Sequence, residues 1–364
     1  MTWFIAGGGT GGHVTPALAI GEELRARGHT PIFVGTDRGI ETRLVPDGGF
    51  ELVTLPSRPF VGRGAMDRAT ALVALAWTTL RASFLLGRRR CRIVVAVGGY
   101  ASLPAAIAGW ILRKPVVLLN PDAEPGLANR LLARIATRVF AAFPGSERHF
   151  AHPERVVVSG VPLRRKLRDA FARIECDATR TDEGTRHLFA FGGSLGARQI
   201  NDALLAAAGR LDKGTLRVVH QTGAQDRERV AAAWAAHGIE ARVVAFEDDM
   251  PARYAWADLV VCRAGAISVA EVTLAGRPAI LVPLAHVGGG EQAANARALE
   301  RAGGAVVFDG AGFDPDAFAA TLAALLEDRD RLAAMARASR SLARPDATRD
   351  VVDACESLLA GAAR

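Results

Sequence analysis

The sequence predicts an α/β protein built from two doubly wound domains. Strand-like and helix-like segments alternate through most of the 364 residues, which is the pattern of parallel sheets covered by helices. The chain is also longer than one ordinary hydrophobic core requires. An apolar strand, a glycine-rich loop and a helix start follow one another near the N-terminus and again at 187–197. We therefore expect two Rossmann-like domains that face a cleft, with ligands beyond the carboxyl ends of the strands.

The domain boundaries are predicted where this alternation stops and restarts. Residues 160–164 are the expected exit from the first domain, and 168–186 are polar and irregular. We expect an N-terminal domain at 1–163 and a C-terminal domain at 164–346. A helix at 347–364 is expected to pack back toward the N-terminal domain.

Composition narrows the class of protein. Half of the residues are hydrophobic and the net charge is +7, which suits anionic partners such as nucleic acid, anionic lipid or phosphorylated substrates. No basic run is interleaved with aromatic residues, so a nucleic-acid stacking platform is not indicated. Four scattered cysteines favour reduced cytosolic thiols over disulfides or a zinc site. Neither a secretory signal nor an uncharged apolar segment of transmembrane length is predicted.

The first glycine loop, GGGTGGHVTP at 7–16, lies between a buried strand and a helix. Glycines let a ligand approach the main chain closely, and the helix start turns N–H groups and a positive helix end toward an anion. His13 is a candidate general base for a hydroxyl group. A tight turn without a ligand, and a structural histidine bonded to backbone, are the alternatives.

Two further loops in the second half are candidates for a nucleotide site. Ser194 and the N–H groups of 192–197 can hold a diphosphate. Residues 264–268 open another helix, on which the Glu271 carboxylate can accept two hydrogen bonds from a ribose diol. An ordinary turn and a helix-dipole charge are the respective alternatives. The acidic run 247–249 is predicted to be a loop with helix-capping acids, so no metal site is expected.

These segments, with others in the same order, resemble the bacterial peptidoglycan N-acetylglucosaminyltransferases, which convert undecaprenyl-pyrophosphoryl-MurNAc-pentapeptide (lipid I) to lipid II. The resemblance covers nearly the whole chain, and the motifs are specific together rather than singly. The matching segments are 7–16, 97–102, 125–130, 142–145, 192–197, 220–223, 246–250, 257–266 and 292–296.

The resemblance implies a hexosyltransferase with the glycosyltransferase B-type fold, acting in peptidoglycan biosynthesis and thus in cell wall biogenesis, cell shape and cell division. N-acetylglucosamine would pass from UDP-GlcNAc on the C-terminal domain to the C4 hydroxyl of MurNAc on the N-terminal, membrane-binding domain. The reaction would be a single inverting displacement. No metal or other cofactor is implied if helix dipoles and N–H groups stabilise the leaving diphosphate. The enzyme would lie peripherally on the cytoplasmic face of the inner membrane.

Roles carry over from the family residue by residue. Ser194 would bind the diphosphate, Glu271 the ribose and Gln292 the sugar, while the loop at Phe246 and Glu247 would hold the uracil through its backbone. The other positions implied for UDP-GlcNAc are Thr10, Gly11, Gly12, Asp122, Arg164 near the hinge, Ala266, Ile267 and Ser268. The implied acceptor or diphosphate loop comprises Gly9, Gly98, Gly99 and Tyr100.

The chain departs from the family pattern at two places. Where the family usually has His-Glu-Gln-Asn, residues 119–122 read Leu-Asn-Pro-Asp, which makes Asp122 a charged rival to His13 as the catalytic base. The loop before Gln292 reads His-Val-Gly-Gly-Gly-Glu at 286–291 instead of its usual polar residues. Both departures concern sugar or acceptor selectivity and the rate.

A long apolar helix is predicted at 66–87. Val73, Trp77, Leu80 and Phe84 recur on one face of it, and Arg88 begins a run of three arginines. An apolar stripe with a basic rim suits insertion into an anionic membrane interface. The alternative is that the stripe faces the domain core.

Other functions remain open at this point. A nicotinamide oxidoreductase would explain the first glycine loop, but neither the repeated loop nor Glu271. A basic nucleic-acid binder lacks its expected recognition helix. A transferase with another lipid acceptor and a UDP-GlcNAc epimerase would share the fold.

Overall fold

The structure is a computed structural model and describes residues 1–56, 65–174, 184–193, 196–284, 290–309 and 312–361. The chain forms two compact units. The N-terminal unit consists of Met1–Lys166 with Arg344–Arg364, and the C-terminal unit is Leu167–Ala343. The C-terminal segment therefore belongs to the same unit as the first strand.

The N-terminal unit has a sheet of seven parallel strands in the order β3-β2-β1-β4-β5-β6-β7. Its strands are β1 (Thr2–Gly7), β2 (Thr30–Gly35), β3 (Glu51–Thr54), β4 (Ile93–Gly98), β5 (Val116–Asn120), β6 (Arg138–Ala141) and β7 (Val156–Val158). Its helices are α1 (Gly11–Ala26), α2 (Glu41–Asp47), α3 (Ala65–Arg88), α4 (Leu103–Ile111), α5 (Leu127–Ala133) and, after the second unit, α14 (Ala347–Gly361). Helix α6 (Arg165–Phe171) spans the change from one unit to the other.

The C-terminal unit has a sheet of six parallel strands in the order β10-β9-β8-β11-β12-β13. Its strands are β8 (Arg186–Phe191), β9 (Leu216–Gln221), β10 (Glu240–Val244), β11 (Leu259–Cys262), β12 (Ala279–Leu281) and β13 (Ala305–Val307). Its helices are α7 (Arg198–Ala207), α8 (Arg227–Ala236), α9 (Met250–Trp256), α10 (Ala266–Ala275), α11 (Glu291–Arg301), α12 (Pro315–Glu327) and α13 (Arg329–Ser341).

The central strands are apolar along their whole length because helices cover both faces of each sheet. Every residue of β4 is buried, as is β1 from its second residue onward, and such continuous runs are typical of parallel strands. Helix α14 completes the core of the N-terminal unit with Val351, Val352, Cys355 and Leu359. The Glu356 carboxylate also pairs with His29 Nε2 at 2.8 Å. These contacts fix the end of the chain to its beginning.

In each sheet the chain reverses its direction of growth between two central strands. The reversal lies between β1 and β4 in the N-terminal unit and between β8 and β11 in the C-terminal unit. Glycine-containing loops follow all four of these strands. Ligands of doubly wound sheets bind at this switch point, beyond the carboxyl ends of the strands. The fold therefore brings the predicted loops together in pairs, one pair in each unit.

Candidate functional site

Glu271 lies on the second turn of α10 in the C-terminal unit, where its side chain is buried. The Tyr254 hydroxyl donates a hydrogen bond to Oε2 of Glu271 at 3.2 Å. Burial raises the pKa of Glu271 to about 7, against the lowering effect of this hydrogen bond. The Cys262 thiol is buried nearby, and burial together with the Glu271 charge raises its pKa above the ordinary range. A carboxylate in this position can accept hydrogen bonds from a diol.

An aromatic cluster fixes the position of the tyrosine. The ring of Tyr254 is fully buried and meets Phe171, Phe189 and Phe191 edge to face, with centroid separations of 5.4, 5.7 and 6.0 Å. Such edge-on packing restrains a ring in one orientation. The hydroxyl that faces Glu271 is consequently held by the core of the unit.

The Gln221 side chain bonds to both the glycine loop after β8 and the loop after β10, although no local sequence pattern indicates this role. Gln221 ends β9, donates from Nε2 to the Gly193 carbonyl at 2.7 Å, and accepts the Glu247 N–H at its Oε1 at 3.0 Å. Ser194, the predicted diphosphate ligand, lies outside the described residues. Gln221 thus links the predicted diphosphate loop to the predicted uracil loop.

His220, which precedes Gln221 on β9, is buried and its imidazole ring is neutral. Trp234 donates its indole N–H to Nδ1 of His220 at 3.2 Å, and Nε2 of His220 meets the Asn201 side-chain oxygen at 3.0 Å. Because the indole group is only a donor, His220 must carry its proton on Nε2. Burial lowers the pKa of His220 to about 3. This histidine is therefore a structural support for the end of β9.

The Glu247 side chain bonds to β10 and to the backbone of its own loop. The carboxylate is buried, pairs with Arg242, and accepts the Asp249 N–H at 3.2 Å. Asp249 in turn caps α9 by accepting the Ala252 N–H at 3.1 Å, as predicted for this acidic run. The neighbouring Phe246 side chain is 55% exposed. Among the described residues, no group of three or more His, Cys, Asp or Glu side chains could hold a metal ion.

The other donor-site candidates of the C-terminal unit lie at two helix starts. Ala266, Ile267 and Ser268 form the first turn of α10, directly after β11. At α11, Gln292 accepts the Leu284 N–H at its Oε1 at 3.0 Å, and Asn295 donates to the Ala264 carbonyl at 3.2 Å. These two bonds join the start of α11 to the ends of β11 and β12. The divergent loop residues 286–289 lie outside the described residues.

The N-terminal unit brings the first glycine loop, Gly98 and His13 together. The Thr10 hydroxyl and Nδ1 of His13 are 3.0 Å apart. Gly98 has a φ angle of +105°, and a Cβ there would lie 2.9 Å from Asn129 Oδ1 and 3.0 Å from His13 Cδ2. Only glycine fits such a position without displacing these groups. Gly99 and Tyr100 follow directly and begin a short 3₁₀ turn.

The divergent segment 119–122 reaches this cluster through an amide chain. Asn129 donates from Nδ2 to Asn120 Oδ1 at 2.9 Å, and Asn120 donates from Nδ2 to the Asp122 carbonyl at 2.6 Å. Asn129 Oδ1 is buried without a hydrogen-bond partner in the structure. The backbone of Asp122 is therefore connected to the side chains that surround His13.

The Gly9 N–H donates to a carboxylate of the protein itself. Oε2 of Glu41, the first residue of α2, accepts this hydrogen bond at 2.9 Å. The sequence predicted a loop whose N–H groups face a ligand, and at Gly9 the structure places a protein carboxylate instead. Gly11 and Gly12 form the first turn of α1.

Arg164 belongs to the N-terminal unit. Its guanidinium pairs with Glu22 of α1, with Nε and Nη2 at 2.7 and 2.6 Å from Oε1. The predicted domain boundary places this arginine in the C-terminal domain, whereas in the structure the C-terminal unit begins three residues later, at Leu167. The Glu22 carboxylate therefore contacts the Nε and Nη2 edge of the Arg164 guanidinium.

The predicted stripe on α3 faces solvent rather than the core. The side chains of Val73, Trp77, Leu80 and Phe84 are 60–70% exposed. A cavity of about 650 Å³ lies beside them, lined by residues of α3 and by Val53, Thr54 and Leu55. Of the arginines that follow, Arg89 pairs with Glu51 at 2.6 Å. Among the described residues, Thr70–Arg88 is the one helix long and apolar enough to cross a membrane, and 28% of it is buried.

Sequence comparison identifies the family. Residues 3–141 match the N-terminal domain and residues 187–351 the C-terminal domain of glycosyltransferase family 28. A Myxococcus xanthus protein is 40% identical over 99% of this chain and 93% of its own length. It is named UDP-N-acetylglucosamine–N-acetylmuramyl-(pentapeptide) pyrophosphoryl-undecaprenol N-acetylglucosamine transferase. The present chain belongs to this transferase family.

Two other relatives agree with this assignment. The transferase of the same name from Geobacter metallireducens is 39% identical over 97% of both chains. The crystal structure of MurG from Acinetobacter baumannii has a TM-score of 0.82 and 29% identity, covering 98% of this chain and 99% of that one. The predicted resemblance, the B-type fold and the class of UDP-GlcNAc-dependent N-acetylglucosaminyltransferase are confirmed. The oxidoreductase and nucleic-acid alternatives are thereby excluded.

Proposed function

We propose that the chain transfers N-acetylglucosamine from UDP-GlcNAc to the C4 hydroxyl of MurNAc in lipid I and so forms lipid II. The observation that carries this proposal is the full-length similarity to transferases named for this reaction. A buried carboxylate and two helix starts at the switch point of the C-terminal sheet support it, because they suit a nucleoside diphosphate.

The donor binds to the C-terminal unit in this proposal. The Glu271 carboxylate accepts hydrogen bonds from the ribose hydroxyls, and Ser194 with the α10 start holds the diphosphate. Since Gln221 of β9 already accepts the Glu247 N–H, uracil is held by the backbone of Phe246. We assign Gln292 to the sugar and Arg164 to the nucleotide. Backbone N–H groups and helix dipoles stabilise the departing UDP, so no metal is required.

The acceptor binds to the N-terminal unit, next to His13 and the loop at Gly98, Gly99 and Tyr100. The acceptor O4 attacks the anomeric carbon, the bond from that carbon to UDP breaks, and the O4 proton passes to a base. When Nδ1 of His13 donates to the Thr10 hydroxyl, Nε2 is the basic nitrogen of the neutral ring. We assign His13 as that base, with Asp122 as its rival.

The two departures from the family pattern concern the acceptor and the sugar, respectively. Asn120 forms a neutral amide pair with Asn129, and Asp122 adds a carboxylate where an amide is usual. We assign these two positions to acceptor selectivity. The divergent loop at 286–291 acts on the sugar through Gln292, because Gln292 is bonded to Leu284 at the entrance to that loop.

The acceptor chemistry also requires access to a membrane surface. The exposed stripe on α3, with Trp110 at 55% exposure and the arginines from Arg88 onward, offers an apolar area with a basic rim. Such a surface suits the head-group region of an anionic leaflet. We therefore propose a peripheral position on the cytoplasmic face of the inner membrane.

Calorimetric titration tests the donor site. The wild-type chain is expected to bind UDP and UDP-GlcNAc but not NADH. Glu271→Ala and Ser194→Ala should each weaken UDP binding by roughly 1–3 kcal/mol, since each removes a hydrogen-bonding partner of the ligand. Ser357→Ala, on the surface of α14, is the matched control. Unchanged UDP affinity in both donor-site variants would refute this assignment.

A further inference from the structure

The Glu41 side chain is buried, and its carboxylate contacts both the first glycine loop and the turn that follows β2. Its Oε2 accepts the Gly9 N–H at 2.9 Å, while Oε1 accepts the Thr36 N–H at 2.9 Å and the Thr36 hydroxyl at 2.7 Å. The Thr36 hydroxyl oxygen in turn accepts the Gly39 N–H at 3.1 Å. One carboxylate therefore joins the loop after β1 to the turn after β2.

Glycines make room for this carboxylate on three sides. A Cβ on Gly8, Gly35 or Gly39 would collide with the Glu41 side chain. Close approach of main chain to a buried group is a specific use of glycine. These three glycines lie in two separate segments, so both segments have been shaped around the same side chain.

The group at this position is a carboxylate rather than a carboxylic acid. Burial disfavours the charged form, but the hydrogen bonds from Gly9 and Thr36 outweigh it and lower the pKa of Glu41. Within the described part of the chain, no arginine, lysine or histidine forms an ion pair with it. Its charge is met by N–H and O–H donors, and these bonds are directional.

The loop that Glu41 holds leads directly into the first turn of α1, where the proposed base His13 lies. Gly9 precedes Thr10, whose hydroxyl lies 3.0 Å from Nδ1 of His13, and both His13 and Val14 donate backbone N–H bonds to the Thr10 carbonyl. A shift of the loop at Gly9 would therefore be passed to Thr10 and to the orientation of the imidazole ring.

We propose that Glu41 is a positioning residue for the transfer, acting by holding the Gly8–Thr10 loop and thereby the Thr10–His13 pair in the catalytic geometry. This inference rests on the proposed function, which gives His13 its task. It assigns Glu41 no contact with either substrate.

Glu41→Gln tests the proposal, because an amide of the same shape has one acceptor oxygen instead of two. Its NH₂ group would face either the Gly9 or the Thr36 N–H, donor against donor. We measure kcat and both KM values with radiolabelled UDP-GlcNAc and a lipid I analogue. Glu356→Gln is the matched control, since this carboxylate also lies in the N-terminal unit and joins α14 to α1.

Glu41→Gln is expected to lower kcat roughly 10- to 100-fold, because small displacements of catalytic groups have effects of this size. The KM for UDP-GlcNAc should stay within about twofold, as should the kcat of Glu356→Gln. In a His13→Ala background, Glu41→Gln should lower kcat by about threefold or less, since the side chain that Glu41 positions is absent.

Two results would overturn the proposal. One is a folded Glu41→Gln protein with kcat within twofold of wild type. The other is an equal fold-decrease in kcat when Glu41→Gln is introduced into the wild-type chain and into the His13→Ala variant. If Glu41→Gln does not fold, Thr36→Val removes the hydroxyl bond to the carboxylate together with the Gly39 N–H bond to that hydroxyl, while the Thr36 N–H still donates to Glu41. Its kcat is interpreted by the same criteria. Absence of transfer by the wild-type chain would instead refute the proposed function.

Discussion

Tyr254 donates its phenolic hydrogen to Oε2 of Glu271 across 3.2 Å, and both side chains are buried in the C-terminal unit. The hydrogen bond favours the ionised carboxylate, whereas burial raises the pKa of Glu271 to about 7. The Glu271 carboxylate, which is proposed to hold the ribose, consequently changes protonation near neutral pH.

UDP affinity should therefore depend on pH. Ribose hydroxyls donate to the ionised form, so affinity is expected to rise with pH up to about 7 and to level off above it. Tyr254→Phe removes the bond that favours ionisation, so the midpoint of this rise should move to higher pH. Calorimetry between pH 5.5 and 8.5 measures both curves.

One control accompanies the pH experiment. Glu271→Gln cannot ionise at this position, so it should retain only the pH dependence of UDP itself. Identical pH curves for wild type and Glu271→Gln would show that Glu271 is not the titrating group.

Gln221 should contribute to UDP binding without touching the ligand. Gln221→Met keeps the approximate size of the side chain but loses the bonds to Gly193 and Glu247. Two hydrogen bonds at 0.5–1.5 kcal/mol each predict a loss of about 1–3 kcal/mol in UDP affinity or in stability. Calorimetry and thermal unfolding separate these two outcomes. We expect the affinity to fall, because the bonds join two loops rather than two core elements.

Gln225→Met is the matched control for this substitution, since Gln225 is exposed four residues further along the chain. Should Gln221→Met and Gln225→Met bind UDP equally well, the link between the loops would have no role in donor binding.

The base assignment predicts a loss of turnover without a loss of donor affinity. His13→Ala should lower kcat by roughly 10²–10⁴-fold, the range typical of a general base, while UDP binding is unchanged. Asp122→Asn should have a much smaller effect on kcat. The radiolabel assay measures both variants. If His13→Ala retains most of its turnover and Asp122→Asn loses it, the base is Asp122.

The exposed stripe predicts association with anionic vesicles. The chain should cosediment with anionic liposomes at low salt, and salt should weaken this binding by screening the arginines. Trp77→Ser and Phe84→Ser should weaken it further because they remove apolar surface. Phe246→Ser removes an exposed ring from the C-terminal unit and should have no effect. A folded protein that ignores anionic liposomes at every salt concentration would contradict the membrane proposal.

The sequence was sufficient for the strands and glycine loops because buried parallel strands are continuous apolar runs with glycine at their ends. It was insufficient for Glu41, which lies 32 residues from Gly9 on a short helix that no periodicity indicates. Gln221 lies in the matching segment 220–223, but its role cannot be predicted from the sequence, because a side chain that bridges two loops has no local signature. The stripe on α3 had a clear period, but periodicity does not distinguish a face toward solvent from one toward the core.

Transfer of label from UDP-GlcNAc to a lipid I analogue tests the central claim most directly. Radioactive N-acetylglucosamine should become lipid-extractable only when chain, donor and acceptor are all present. The rate should be unaffected by EDTA and should fall steeply in Glu271→Ala. Binding of UDP-GlcNAc without any label in the lipid, or label released only as free sugar, would contradict the account.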